Sequence, residues 1–315
     1  MVIFKKNKFL FITLLSLALL VIFGFTLPRG ARTLLIQIMA FSVFAMGYDI
    51  SLGFTDQCSL GHSVFFGTGA YTFMLSTLHF HSGIFYSISL CFIAGLGVSL
   101  ATGVIAVRLS KAYFVIVTAV FSSIFHLFAI DMIWLTGGDD GLSVNLPPIT
   151  FGSASISVYN PLVNYYVVLF FLVVTYLVLR RISRAPLGRV FLSIKENEER
   201  AEFLGYNVIR YKLIAFVISG SFAALGGGLY AMTIRYASAD FFSLYWSIIP
   251  IVWCLIGGLG TLAGPFLGVA LMSVFQYYVS AWWTYYMIIF GAIILIILRV
   301  SKKGIFGYFM NKDLR

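Results

Sequence analysis

A chain of 315 residues that is 61% hydrophobic and only 10% charged has too little polar surface to cover a water-soluble core. It reads as an all-α polytopic membrane protein, because the apolar runs are continuous and lack the period-two alternation of a transmembrane β-barrel. The net charge of +10 would suggest nucleic acid in a soluble chain, but the basic residues sit beside apolar runs, where insertion rules and anionic headgroups account for them.

About 20 residues cross a hydrocarbon core at the helical rise. The predicted spans are Phe9 to Leu27, Leu34 to Ile50, Ser63 to Leu78, Ile84 to Val107 and Tyr113 to Ile133, followed by Leu162 to Leu179, Leu213 to Thr233, Leu244 to Ile256, Pro265 to Ser280 and Trp282 to Val300. That makes about ten spans, of which the third, eighth and ninth are short enough to be tilted, broken or partly re-entrant. Lys5, Lys6 and Lys8 ahead of the first span resemble a leader, yet no small-x-small cleavage site follows, so the segment is kept as a span. With ten spans and both termini in the cytoplasm, all of the 21 Lys and Arg except Arg29, Arg32 and Arg235 lie inside, as the positive-inside rule expects. The loop Trp134 to Pro161, with Asp139 and Asp140, then lies outside.

Two glycine-rich stretches interrupt the apolar pattern, Ser51 to Gly69 and Gly257 to Gly268. Irregular backbone at membrane depth is tolerated only against protein or water, so Gly61, His62, Gly67, Gly258 and Gly260 are translocation-path candidates. Close helix packing is the competing explanation, and the stretches do not align cleanly as halves of a repeat.

Between the sixth and seventh spans, Arg180 to Lys212 concentrates twelve of the chain's charged residues in a predicted cytoplasmic platform. Pro186 suits a first helical turn and Gly205 a helix end. Leu187, Val190, Ile194, Ala201 and Leu204 recur near helical spacing, interrupted at Asn197 and Glu198, which leaves the acids on another face. Glu196 and Arg200 are spaced to pair, whereas Glu198 and Glu202 are like charges at i,i+4. A solvated loop face explains the charge alone; a basic groove on a partner explains the repulsion as well.

The run Lys195 to Val208, followed by Tyr211-Lys212-Leu213-Ile214-Ala215-Phe216, resembles the coupling loop of ABC-importer permeases, closest to the LivM-type subunit of branched-chain amino acid transporters. Three further blocks occur in the same order: Ser59-Leu60-Gly61-His62-Ser63 with Phe65-Phe66-Gly67, Leu135 to Leu142, and Gly257 to Thr261 with Gly264-Pro265. The resemblance implies a single permease domain over residues 1–315 with a coupling loop at 180–212. It also implies a LivH-type partner permease, two cytoplasmic ATPases that bind the ATP and Mg, and an external substrate-binding protein. By the same resemblance Glu198, Glu199, Ala201 and Gly205 dock into the ATPase. Consistently, this chain has no phosphate-binding loop and no cofactor of its own is expected. Related permeases serve urea and short amides. Cys58 stands where relatives more often carry an aliphatic residue.

Other polar residues have plainer explanations. Cys58, Cys91 and Cys254 follow no metal or redox spacing. The Asp139-Asp140 pair could receive a binding protein, although Gly-Gly-Asp-Asp-Gly is a good turn. His79 and His81 lack further ligands nearby, so no metal is expected. His62 and His126 either face a path or pack, and Asp49 and Asp56 either flank a path or mark the span boundary. With no catalytic constellation, the expected function is inward movement of a small polar solute, an ion-driven secondary transporter being the alternative.

Overall fold

The computed structural model describes residues 18–80, 83–146, 148–151, 154–156, 159–280 and 291. The tenth predicted span apart from residue 291, the start of the first, His81 and the basic residues of both termini lie outside these. The described part of the first helix, α1, covers residues 18–26. Then follow α2 (Arg29–Thr55), α3 (His62–Phe80), α4 (Ile84–Ala106), α5 (Lys111–Asp131), a single turn α6 (Ile133–Thr136), α7 (Pro161–Arg184), α8 (Pro186–Glu196), α9 (Glu198–Phe203), α10 (Val208–Ile234), α11 (Leu244–Gly257) and α12 (Ala263–Ser280). Five of the helices, α2, α4, α5, α7 and α10, are long and apolar enough to cross a membrane. Against the expected ten spans, the described residues contain five full-length crossings, together with the apolar helices α3, α11 and α12. The last two have 14 and 18 residues, or about 21 and 27 Å of helix.

The centre of the bundle is the antiparallel pair α2 and α10, each 27 residues long and buried along most of its length. By contrast α4 and α5 turn one face outward. Ile93, Leu96, Leu100 and Val104 on α4, and Ile116, Val120, Ile124 and Leu127 on α5, recur every three or four residues and are exposed. An outward stripe of this kind is at home in lipid and costly in water. Inside, helices approach through small residues, since lipid tails give apolar helices no hydrophobic reason to associate. At Gly69 of α3 a Cβ would lie within van der Waals overlap of the Ala224 carbonyl of α10, so only glycine permits that contact.

The two central helices end alike. The cap of α2, Asp56, has φ 57°, and the cap of α10, Arg235, has φ 59°, both left-handed without being glycine. After each cap the chain turns back into the bundle before a second helix starts. From residues 56–61 it enters α3, which runs alongside α10. From the return after Arg235, which includes the 3-10 turn Ala239–Phe242, it enters α11, which runs alongside α2. The unaligned stretches of the sequence therefore conceal an inverted pair of arms: α2 with α11 runs toward the end of the bundle that carries α8 and α9, and α10 with α3 runs away from it.

At the far end, β1 (Leu142–Ser143) pairs with β4 (Tyr236–Ala237), tying the 137–146 loop to the return after α10; β2 (Ile149–Phe151) and β3 (Ala154–Ile156) form a hairpin. Gly137, Gly138 and Gly141 all have positive φ and Tyr236 Oη donates to the Asp140 carbonyl, so the Gly-Gly-Asp-Asp-Gly segment is a turn with both acids exposed.

Candidate functional site

The platform consists of two helices at an angle, where a single helix from Pro186 to Gly205 would have been the simpler expectation. Asn197 is extended (φ −159°, ψ 107°), and its side chain accepts from the Arg200 N–H. This Asn cap ends α8 and starts α9, because a side-chain acceptor here satisfies a donor left open by the new helix. Glu196 and Arg200 consequently fall on different helices. Asn207 does the same at the start of α10, accepting from the Arg210 N–H.

The four docking candidates divide by environment. Ala201 is buried among Val190, Ile194 and Val208, so it seats α9 on α8 and the start of α10. Glu199 is exposed in the first turn of α9. Glu198 pairs with Lys212 Nζ of α10, the side chains being 42% and 11% exposed. That pairing relieves the repulsion expected between Glu198 and Glu202. Gly205, at φ 89° and exposed, makes the left-handed turn that releases the chain from α9. Glu198, Glu202 and Lys212 also line a cavity of about 580 Å³ whose other wall is Arg108 to Lys111, between α4 and α5. Lys111 pairs there with Asp56, the cap of α2.

The path candidates are brought to two places. Gly61, His62 and Gly67 meet the middle of the bundle. A Cβ on Gly61 would press on the Thr118 carbonyl of α5 (2.8 Å), and one on Gly67 would press on the Phe242 ring (2.6 Å), which is the signature of close packing. His62 is fully buried; its Nε2 shares a 2.7 Å hydrogen bond with Ser219 Oγ of α10, and its ring meets Tyr48, Phe65 and Phe216 edge-on. Beside it the starts of the two return helices touch: the Ser63 N–H of α3 donates to Ser247 Oγ of α11 (2.9 Å), and Ser63 Oγ lies 2.8 Å from Ser122 Oγ and 2.9 Å from the Phe242 carbonyl. Hydroxyls and carbonyls of three helices thus meet where hydrocarbon would otherwise be. Sequence patterns gave no hint of Ser63, Ser122 and Ser247 as a group, since serines are common on packed helix faces.

Gly258 and Gly260 lie elsewhere, in the turn between α11 and α12 at the platform end, with φ 121° and 72°. Asp49 is fully buried there, and its carboxylate accepts the N–H groups of Gly260 (2.8 Å) and Leu262 (3.2 Å). It lies in the last turns of α2, its carboxylate committed to these two backbone donors. In the opposite half of the bundle an uncharged cavity of about 370 Å³ is lined by Phe41, Tyr230, Trp246 and Trp253 with Gln37 and Gln276 on its wall. His126 hydrogen-bonds the Ala239 carbonyl and therefore packs the return segment. The cysteines are free; Cys91 and Cys254 donate to backbone carbonyls. Among the described residues no cluster suits a metal ion.

A family model described as branched-chain amino acid transport system / permease component matches residues 30–298. The high-affinity branched-chain amino acid transport system permease proteins LivM of Salmonella typhimurium and of Escherichia coli are each 26% identical over 320 residues, covering 95% of this chain and 75% of their own. The probable branched-chain amino acid transport permease protein LivM of Methanocaldococcus jannaschii is 26% identical over 164 residues, 47% of each chain. No solved structure matches. The family match runs from α2 through both return helices and the platform to beyond α12, and the chain belongs to the branched-chain amino acid transport permease family, as a multi-pass permease component and not a catalytic subunit.

Proposed function

We propose that the chain is one permease subunit of an ATP-driven importer of branched-chain amino acids, working with a LivH-type permease, two cytoplasmic ATPases and an external binding protein. The observation that carries this is the platform. Its exposed acids, Glu196, Glu199 and Glu202, stand on two short helices that are anchored to the central pair α2 and α10, so a protein gripping them acts on the core of the bundle. In this assignment the platform and both termini face the cytoplasm, the 137–146 loop faces the binding protein, and the membrane is the cell's inner membrane.

The LivM relatives, matched over nearly the whole chain, support the amino-acid substrate. The uncharged aromatic cavity fits a solute with an aliphatic side chain better than a polyanion or a bare cation, and its amides suit a zwitterionic head. Urea and short amides remain the alternative cargo, distinguished by competition in the same uptake assay. An ion-driven secondary transporter would use an ionisable side chain free to exchange its ligand mid-span. Asp49 is instead committed to two backbone donors.

The test is uptake into sealed vesicles containing both permeases and both ATPases, with the binding protein supplied on the opposite face. With all ion gradients collapsed and ATP supplied on the ATPase side, leucine should accumulate. Accumulation that needs a gradient and ignores ATP refutes the proposal.

A further inference from the structure

We infer that Lys195, Gly53 and Asp49 form the clamp that couples the platform to the α11–α12 turn, so that a displacement of α8 carries α2, α11 and α12 together; the inference rests on the platform being the ATPase lever. The last carbonyls of a helix have no partner within it. At the end of α2 one of them, Gly53 O, accepts from Lys195 Nζ at 2.6 Å, which also places a cation at the negative end of the helix. Lys195 is in the last turn of α8, directly before the Asn197 break, so through it the platform touches α2 by a charged bond, as Glu198 touches α10.

One turn back along α2, Asp49 holds the opposite partner. Its two carboxylate oxygens take the N–H groups of Gly260 and Leu262. Leu262 sits at φ 56°, a conformation that costs a branched residue energy and persists only where the surroundings fix it. The three pieces fit because Gly53 lacks a Cβ: one would lie within bonding overlap of Asp49 Oδ1 and 2.5 Å from the Gly260 nitrogen. The same residue thus lends its carbonyl to the platform and its bare face to the turn. Removing Lys195 frees α8 from this knot while leaving Asp49 its two backbone donors, and adding a methyl at Gly53 pries the turn away by a separate, steric route.

The experiment uses the complete importer in vesicles and reads ATP hydrolysed per leucine imported, together with copurification of the ATPase. Lys195→Met keeps the stem and loses the charged donor. It should leave copurification and basal hydrolysis within about twofold of wild type and lower import about tenfold, so that the ratio rises about tenfold. Lys195→Arg should bring the ratio back toward wild type. Gly53→Ala, by the independent steric route, should raise it too. A staple that only stabilises the fold would lower import, hydrolysis and copurification together. That result, or an unchanged ratio in Lys195→Met, overturns the clamp while wild-type import stands. Failure of the wild-type complex to import with ATP overturns the permease assignment itself.

Discussion

The pairing of Glu198 with Lys212 turns the docking surface into a quantitative test. Lys212 is nearly buried at the start of α10, and among the described residues Glu198 is its ion-pair partner. Deleting the carboxylate with Glu198→Ala leaves an ammonium facing the cavity beside Arg108 and Lys111, where water reaches it only partly. Because Glu198 is itself 42% exposed, the pair is screened, and its contribution is about 1 kcal/mol, well below a fully buried bridge. The affected element is small: α9 has six residues, held by Ala201, the Asn197 cap and this bridge. Loosening one of three attachments should therefore disorder α9 preferentially.

A double-mutant cycle isolates the effect. Glu198→Ala and Lys212→Ala should each weaken ATPase binding, and the double variant should be weaker than either by less than the product of the two. The shortfall should be about fivefold, the equivalent of about 1 kcal/mol. The parallel cycle of Glu199→Ala with Lys212→Ala should show no shortfall, since exposed Glu199 has no bond to Lys212. ATPase affinity is measured with reconstituted permease complex at two salt concentrations; the Glu199 loss should shrink at high salt by more than the coupling of part-buried Glu198 with Lys212 does. Additive behaviour of Glu198 with Lys212, or equal coupling in both cycles, refutes the argument.

Asn197→Ala removes the cap between α8 and α9 and should destabilise the platform by about 1 kcal/mol, read as faster amide exchange at residues 198–204 with the melting of the whole complex little changed. Gly69→Val places a side chain into the Ala224 carbonyl and should cost about 1–3 kcal/mol by overpacking, seen as a lower melting temperature in detergent and reduced yield. Ser63→Ala removes the hydroxyl shared by Ser122 and Phe242. It should reduce import more than it reduces melting temperature, because the junction of the return helices keeps its Ser63 N–H bond to Ser247.

Where the apolar run is continuous the sequence was a good guide. The predicted span Ile84 to Val107 became Ile84–Ala106, and Leu162 to Leu179 lies inside Pro161–Arg184. Errors fall where polar atoms are bonded. The predicted start Leu213 is five residues late, because Arg210 and Lys212 depress the hydropathy of what is already helix; Asn207 caps it and Glu198 neutralises Lys212. The helix break at Asn197 was legible in its chemistry, an Asn followed by two acids, yet the apolar spacing across it suggested one continuous face. In the same way the spacing placed Ala201 on that face correctly, while the resemblance that assigned it to docking was silent about which way it points.

Asp49 shows why the remainder was not legible. A single acid inside an apolar run is expensive unless paired, which marks it as important without saying why. Its partners are two backbone donors, the nearer 211 positions away, and backbone donors have no residue identity to be read. The glycines that make the approach possible, Gly53 and Gly260, resemble the packing glycines Gly61 and Gly67 in sequence. What separates the two kinds is the neighbour: Gly61 and Gly67 face a carbonyl and a ring of adjacent helices, whereas Gly53 faces a buried carboxylate and the N–H it binds. The glycine pattern therefore located the two broken regions but merged a packing contact in the middle of the bundle with a charged knot at its end, and only the second touches the platform.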